Sequence, residues 1–380
     1  MTPHRGDEIV AVAPYEPTAD AESVATTSDE GTANAEITAS TGYGGRRRSV
    51  RRVVLSAISL GVAVTLIALL PRIAGIGWEA LLHQFATVGP GTTALLLVLW
   101  LAGLWAYSYV LSGSLPGLSR RRALLINAAG SGVSNLMPFG GAVGVAMTFA
   151  MTARWGFRRP DVVVSTLVTG VWNTLSRFLL PAVGLGCLLV SGRVPDARLA
   201  TAAGTGGVLL LGIVAAMSAS LYSEAVADRL GRASNRLVLL LPERSRPAPD
   251  AIRLSLLELR RSTLAVTRTR WPRLTLGMIA YMALQGVLFI GCLHVAHAAV
   301  PVPEAVAAFA LNRVLTTAVV TPGGSGISES ATLVTLLHFG AAPAPAATAV
   351  LLFWFFAHVI EIPVGLLAWA GWTLTGRSRG

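Results

Sequence analysis

The sequence predicts an all-α, multi-pass membrane protein: an inverted repeat with about six spanning helices and two re-entrant, broken helical hairpins. Three observations predict it. Of 380 residues, 53% are hydrophobic and 13% charged, and the mean hydropathy is +0.63. A soluble domain carries about 25% charged residues. The apolar runs are continuous and of bilayer length, which selects helices over a barrel. Two further apolar segments, 120–157 and 304–341, are each long enough for two helices, and each is broken at its middle, at "NLMPFGGAVG" and "VVTPGGSGIS".

Residues 1–45 hold eight carboxylates against one arginine and are rich in Thr, Ala, Ser and Gly. That composition predicts a disordered acidic tail on the cytoplasmic side. No apolar core follows the start, so it does not read as a signal peptide. The sign reverses at "RRRSVRR" (Arg46–Arg52), which opens the expected membrane domain, 46–375. Spanning helices are expected at 53–73, 90–112, 161–190, 199–221, 273–299 and 346–374. Arginines at Arg120–Arg122, at Arg154, Arg158 and Arg159, across 222–273 and in the tail 376–380 mark the inner side. Both termini are therefore expected in the cytoplasm of an inner-membrane protein. Within 222–272, "AIRLSLLELRRS" puts Ile252, Leu256 and Leu259 on one helical face. That pattern suits a helix on the anionic inner leaflet or a solvated helix hairpin.

The net charge of +11 sits in these loops, so membrane lipids, not nucleic acid, are the expected partners. All thirty basic residues are arginine, which reads as coding bias. Cys187 and Cys292 stand singly in apolar runs, without disulfide or metal spacing. His294 and His297 lack a third ligand. No nucleophile elbow, zinc-helix motif or phosphate loop is present, so neither an enzyme nor a cofactor is expected.

The two broken segments align at an offset of 184: Pro138 on Pro322, Gly140 on Gly324, Gly156 on Gly340 and, in the helices that follow, Arg177 on Glu361. The first is flanked by arginines and the second is not, so the two units are expected to face opposite ways. Matched helix breaks in inverted halves point to a central transport site, because freed backbone groups need a polar lining. Gly140 and Gly144 also form a GxxxG, which suits a close helix contact. Four charges fall within the expected hydrocarbon depth: Arg177, Arg313, Glu329 and Glu361. Each costs at least about 2.5 kcal/mol if it faces lipid, so they are expected to face inward and pair. Arginine suits phosphate; a carboxylate suits a proton or a cationic head group. A buried structural ion pair is the plainer alternative. The expected pathway comprises Asn135, Pro138, Gly140 and Gly141 at the first break and Pro322, Gly323, Gly324, Gly326 and Glu329 at the second. Arg177, Arg313, His358 and Glu361 complete it.

"NRVLTTAVVTPGGSGISESATLVTLLHFG" resembles the second signature of the lysylphosphatidylglycerol synthase transmembrane region, the flippase-like family. There a Pro-Gly-Gly-x-Gly precedes a Glu and a helix ending at Gly. "NLMPFGGAVGVAMTFAMTARWGF" is similar to the first signature, although Ala146, Met147 and Thr148 fill a region where the family often has a basic residue. The likeness covers roughly 50–375. In bifunctional members this region precedes an aminoacyl-transferase domain and moves the aminoacylated lipid to the outer leaflet. This chain ends at Gly380, straight after its last expected helix. The resemblance therefore implies translocation of a polar lipid without lysyl transfer: an anionic phospholipid, a glycolipid or a polyprenyl-phosphate carrier. A small-solute or ion-coupled transporter, and a scaffold for envelope-lipid biosynthetic enzymes, stay open as alternatives.

Overall fold

The computed structural model describes residues 61–62, 64–136, 140–192, 251–316 and 324–377, and isolated positions 201, 205, 208 and 212. The expected acidic tail, nearly all of the expected span 199–221, and Pro138, Pro322 and Gly323 lie outside the described residues. The described residues are helical, with no strand among them.

In chain order the helices are α1 (Val64–Ile73), α2 (Trp78–Ala86), α3 (Pro90–Ser114), α4 (Arg120–Leu136), α5 (Gly140–Arg154) and α6 (Arg159–Val190). There follow α7 (Ala251–Val295), α8 (Val302–Leu315), α9 (Ile327–His338), α10 (Pro343–Trp354), a π-helical turn (Phe355–Val359) and α11 (Glu361–Arg377). Proline in the first turn starts α3, α6, α8 and α10, where its missing N–H costs no helix bond.

Among the described residues four helical stretches are long and apolar enough to span a bilayer, or five if the bent pair α1–α2 counts as one span. The described part of the expected first span is α1, and α2, which lies in the stretch expected to be an outside loop, meets it at 90°. Gly75 sits in that corner with φ +70°. The described part of the expected basic segment, 251–272, is continuous with the span that follows: α7 runs unbroken from Ala251 through Pro272 to Val295. The last expected span contains the π turn, which splits it into α10 and α11.

Helix boundaries recur at the sequence offset. α6 begins at Arg159 and α10 at Pro343. α5 and α9 end in the same backbone motif. Phe157 and Gly156 N–H donate to Thr152 and Ala153 carbonyls; Ala341 and Gly340 N–H donate to Leu336 and Leu337. Gly156 and Gly340 take φ +82° and +85°, which glycine adopts without strain.

Equivalent helices also pack in equivalent pairs. α3 lies along α7, α4 along α11, and α8 along α6. A Cβ on Gly277 would fall 3.0 Å from Val110 Cγ2, and one on Gly291 would fall 3.0 Å from Leu96 Cδ2, so α3 and α7 are antiparallel. Where α4 crosses α11, a Cβ on Gly132 would lie 2.7 Å from Glu361 O and 2.8 Å from Gly365 Cα. A Cβ on Gly184 would lie 2.9 Å from Ala307 Cα, where α6 crosses α8. Small residues at each crossing let backbones touch, which is how helices associate without a hydrophobic drive between them.

The largest apolar core gathers α3, α7, α8, α9 and α10 around Phe289, Phe309 and Phe353. These rings stack with centroids 5.2–6.2 Å apart. The arginine-bearing ends of α4, α5 and α11 share a smaller core around Ile126 and Met151.

Candidate functional site

At the first break α4 stops at Leu136 and α5 starts at Gly140, folding back along α4. Ser134 Oγ donates to Gly140 O at 2.9 Å. A Cβ on Gly140 would collide with the Ser134 backbone, and one on Gly144 would lie 3.0 Å from Gly130 O. Gly140 and Gly144 therefore serve the close contact between the two arms. Gly141 faces the other way, into a cavity.

At the second break α8 stops at Leu315 and α9 starts at Ile327. Gly324 takes φ +74° and lies against the end of α8; a Cβ there would fall 2.7 Å from Thr316 Cα. Gly326, φ +88°, is the N-cap of α9, and its N–H donates to Glu329 Oε2 at 2.5 Å. Ser328 Oγ donates to Glu329 Oε1 at 3.0 Å. Glu329 is 2% exposed and closes the first turn of α9, as a capping-box glutamate does. It does not line the cavity.

The cavity has a volume of about 410 Å³. Arg177, Arg313, His358 and Glu361 converge on it from four different elements. On α6 its lining runs from Ser165 to Arg177, the half of the helix that begins at Arg159. It thus occupies the arginine-flanked side and ends near the middle of that span. Ile126, Asn127, Ser131 and Asn135 of α4 form one wall. Gly141, Val145 and Thr148 of α5 form another. Tyr107 of α3 and Tyr281 and Gln285 of α7 close the back, with the two tyrosine rings 5.0 Å apart. α5 packs more extensively on α4 than on α6.

None of the four charges expected at hydrocarbon depth pairs with another at ion-pair distance. Each has polar partners instead. Glu361 Oε2 accepts from Asn135 Nδ2 at 2.8 Å, and that amide also approaches the Ala357 and His358 carbonyls at 3.5 and 3.4 Å. These carbonyls belong to the π turn, where the i to i−4 ladder is interrupted. Arg177 Nη1 donates to Thr316 Oγ1 at 3.2 Å, while its Nε is buried without a partner among the described residues. The arrangement is reciprocal. Asn135 at the end of α4 bonds Glu361 on α11, and Thr316 at the end of α8 bonds Arg177 on α6.

Arg313 is 7% exposed. Its Nη2 and Nε donate to Asn312 Oδ1 at 2.9 and 3.3 Å. The guanidinium lies over Phe353 and Phe309, 5.3 and 5.7 Å from the ring centres, on the apolar core. Asn312 Nδ2 donates to Thr332 Oγ1, which donates to Ser328 O. A hydrogen-bonded chain, and not an ion pair, therefore connects Arg313 to Glu329.

Six expected residues meet in one cavity: Asn135, Gly141, Arg177, Arg313, His358 and Glu361. Gly140, Gly324, Gly326 and Glu329 build the hairpins that shape it. Sequence reasoning missed Tyr107, Gln285 and the hydroxyls of Ser165, Thr166 and Thr169. Their signal was a polar group inside an otherwise apolar span. It also missed the π turn, which leaves no mark in composition.

The turn from α4 into α5 beside the polar cavity, and the turn Gly324–Gly326 leading into Glu329, are the geometry behind the sequence resemblance. A family model for the lysylphosphatidylglycerol synthase transmembrane region matches residues 56–365. The chain belongs to that family. As a member of the lysylphosphatidylglycerol synthase transmembrane-region family, with several helices of spanning length, it is a multi-pass membrane protein related to lipid handling. No curated protein matches it.

Proposed function

We propose that this protein translocates a polar lipid between leaflets, flipping or scrambling it, with the head group held in the cavity and the acyl chains left in the bilayer. One observation carries the reading. Arg177, Arg313 and Glu361 line a polar cavity that reaches mid-helix depth along α6, and α5 packs more lightly on α6 than on α4. A lipid head group needs polar contacts inside the membrane, and the lightly packed α5–α6 side is where its chains would reach the bilayer. Intramembrane charge is costly, and residues that keep it generally mark a polar pathway.

The inverted repeat is part of this reading. Its supports are the constant offset of helix boundaries and the antiparallel run of α3 and α7, which hold matching places in the two halves. The arginine distribution supports an inner-membrane protein with both termini cytoplasmic, and a cavity on the cytoplasmic side. With the expected span at 199–221 the count of crossings reaches six. The protein acts on lipids as a carrier, not as an enzyme, and enzymes of envelope-lipid synthesis are its natural neighbours.

A lipid with a diazirine on its head group tests the reading in nanodiscs. After illumination, cross-links are expected on Thr148, Thr166 and Thr169, inside the cavity. Labels confined to the outward apolar positions Leu167 and Leu179 would instead favour a solute carrier or a scaffold with ordinary boundary lipid.

A further inference from the structure

Given the lipid reading above, Glu361 stands out as a cavity carboxylate that no ion pair holds. Its Oε2 accepts from Asn135 Nδ2 at 2.8 Å, an uncharged amide on another helix. No arginine lies within ion-pair distance of it among the described residues. Its neighbour Glu329 is different, since it is tied into the first turn of α9 and does not line the cavity. A carboxylate kept inside a membrane protein without a cation is the usual mark of a proton relay.

The hydrogen count around Asn135 is short. Nδ2 carries two hydrogens, and three acceptors surround it: Glu361 Oε2 at 2.8 Å, the His358 carbonyl at 3.4 Å and the Ala357 carbonyl at 3.5 Å. A proton on Glu361 brings a third hydrogen to the cluster and removes its unpaired charge.

The other titratable groups on the cavity wall are Arg177 on α6, Arg313 on α8, Tyr107 on α3, Tyr281 on α7 and His358 in the π turn; α4 and α5 contribute none. The two arginines set the sign of the coupling. An anion drawn to them cancels part of their field and repels the carboxylate directly. Both effects favour a proton on Glu361, and by reciprocity that proton favours the anion.

We propose that Glu361 takes up one proton with each anionic head group, which makes the protein a proton–lipid symporter. The proton adds to a carboxylate oxygen on loading and leaves when the lipid does. Lipid then moves away from the acidic side. Where the outside is the acidic side, that is retrieval towards the inner leaflet.

Proteoliposomes of the full chain, carrying a trace of acyl-labelled phosphatidylglycerol, test this under an imposed gradient of about one pH unit. Label is expected to gather in the leaflet on the alkaline side, by up to about tenfold for one proton per lipid, faster than in protein-free vesicles. Reversing the gradient is expected to reverse the asymmetry. Glu361→Gln keeps an acceptor for Asn135 and is expected to abolish the asymmetry, whereas His358→Gln keeps it. A pH-sensitive dye in weakly buffered detergent gives a second reading on wild-type protein alone. Proton uptake is expected when short-chain phosphatidylglycerol is added, and its absence overturns the proposal even if Glu361→Gln does not fold. An even distribution of label that ignores the gradient also overturns it, as does an asymmetry that survives Glu361→Gln. Failure of the lipid-carrier reading looks different: the dye still records uptake while no label crosses.

Discussion

Glu329 and Glu361 show how two carboxylates of similar sequence context come to differ. Both sit in apolar surroundings close to a helix start. Glu329 spends its oxygens on Gly326 N–H and Ser328 Oγ, so its task is to begin α9. Glu361 faces the cavity and bonds Asn135 from another helix. Glu329→Gln keeps an acceptor for the cap and is expected to leave thermal stability in detergent nearly unchanged. Glu329→Ala removes it and is expected to cost about 1 kcal/mol, seen as a lower unfolding temperature. Asn135→Ala is expected to act otherwise, cutting lipid translocation several-fold with little thermal shift, because it frees Glu361 and the π-turn carbonyls together. Equal thermal losses for Asn135→Ala and Glu329→Ala would reduce Asn135 to a packing residue. At this scale the sequence marks which residues are costly. It does not say which are spent on their own helix, because a capping bond spans only three residues and is indifferent to the cavity.

Helix limits were legible because they are written in local chemistry. Proline starts α3, α6, α8 and α10, and Gly156 and Gly340 end their helices in matching turns. The repeat offset was legible for the same reason. The crossings were not, since Gly132, Gly184 and Gly365 acquire meaning only from the backbone opposite. Nor was the π turn, which no residue type demands. The single helix from Ala251 to Val295 was missed because its basic first turns look like a surface segment when read alone. Gly132→Val places side-chain atoms where Glu361 O and Gly365 Cα already lie, so α4 must leave α11. Overpacking costs about 1–3 kcal/mol or more, and here no flexible neighbour can yield. Poor recovery of folded protein by size-exclusion chromatography is expected for Gly132→Val, and near-normal recovery for Gly141→Ala, where a Cβ meets open space.

Taken whole, the molecule is uneven. The first hairpin lines the cavity, and Asn127, Ser131, Ser134 and Asn135 all reach it. Of the polar residues near the second break, Thr316 reaches it, whereas Asn312, Ser325 and Ser328 are buried in packing. Arg313 stands at the boundary, with the cavity on one side and the aromatic core on the other. The sequence showed the two breaks and the four charges. It did not show this asymmetry, which arises from the apolar cluster filling one half. The most direct measurement is lipid translocation in proteoliposomes, following loss of a fluorescent head-group signal to an external quencher. Wild-type protein is expected to translocate labelled lipid well above empty vesicles. Arg177→Gln and Arg313→Gln are expected to fall at least about tenfold while remaining folded, the loss of one charge-assisted contact. Wild-type translocation no faster than empty vesicles, or arginine variants as fast as wild type, would contradict the account.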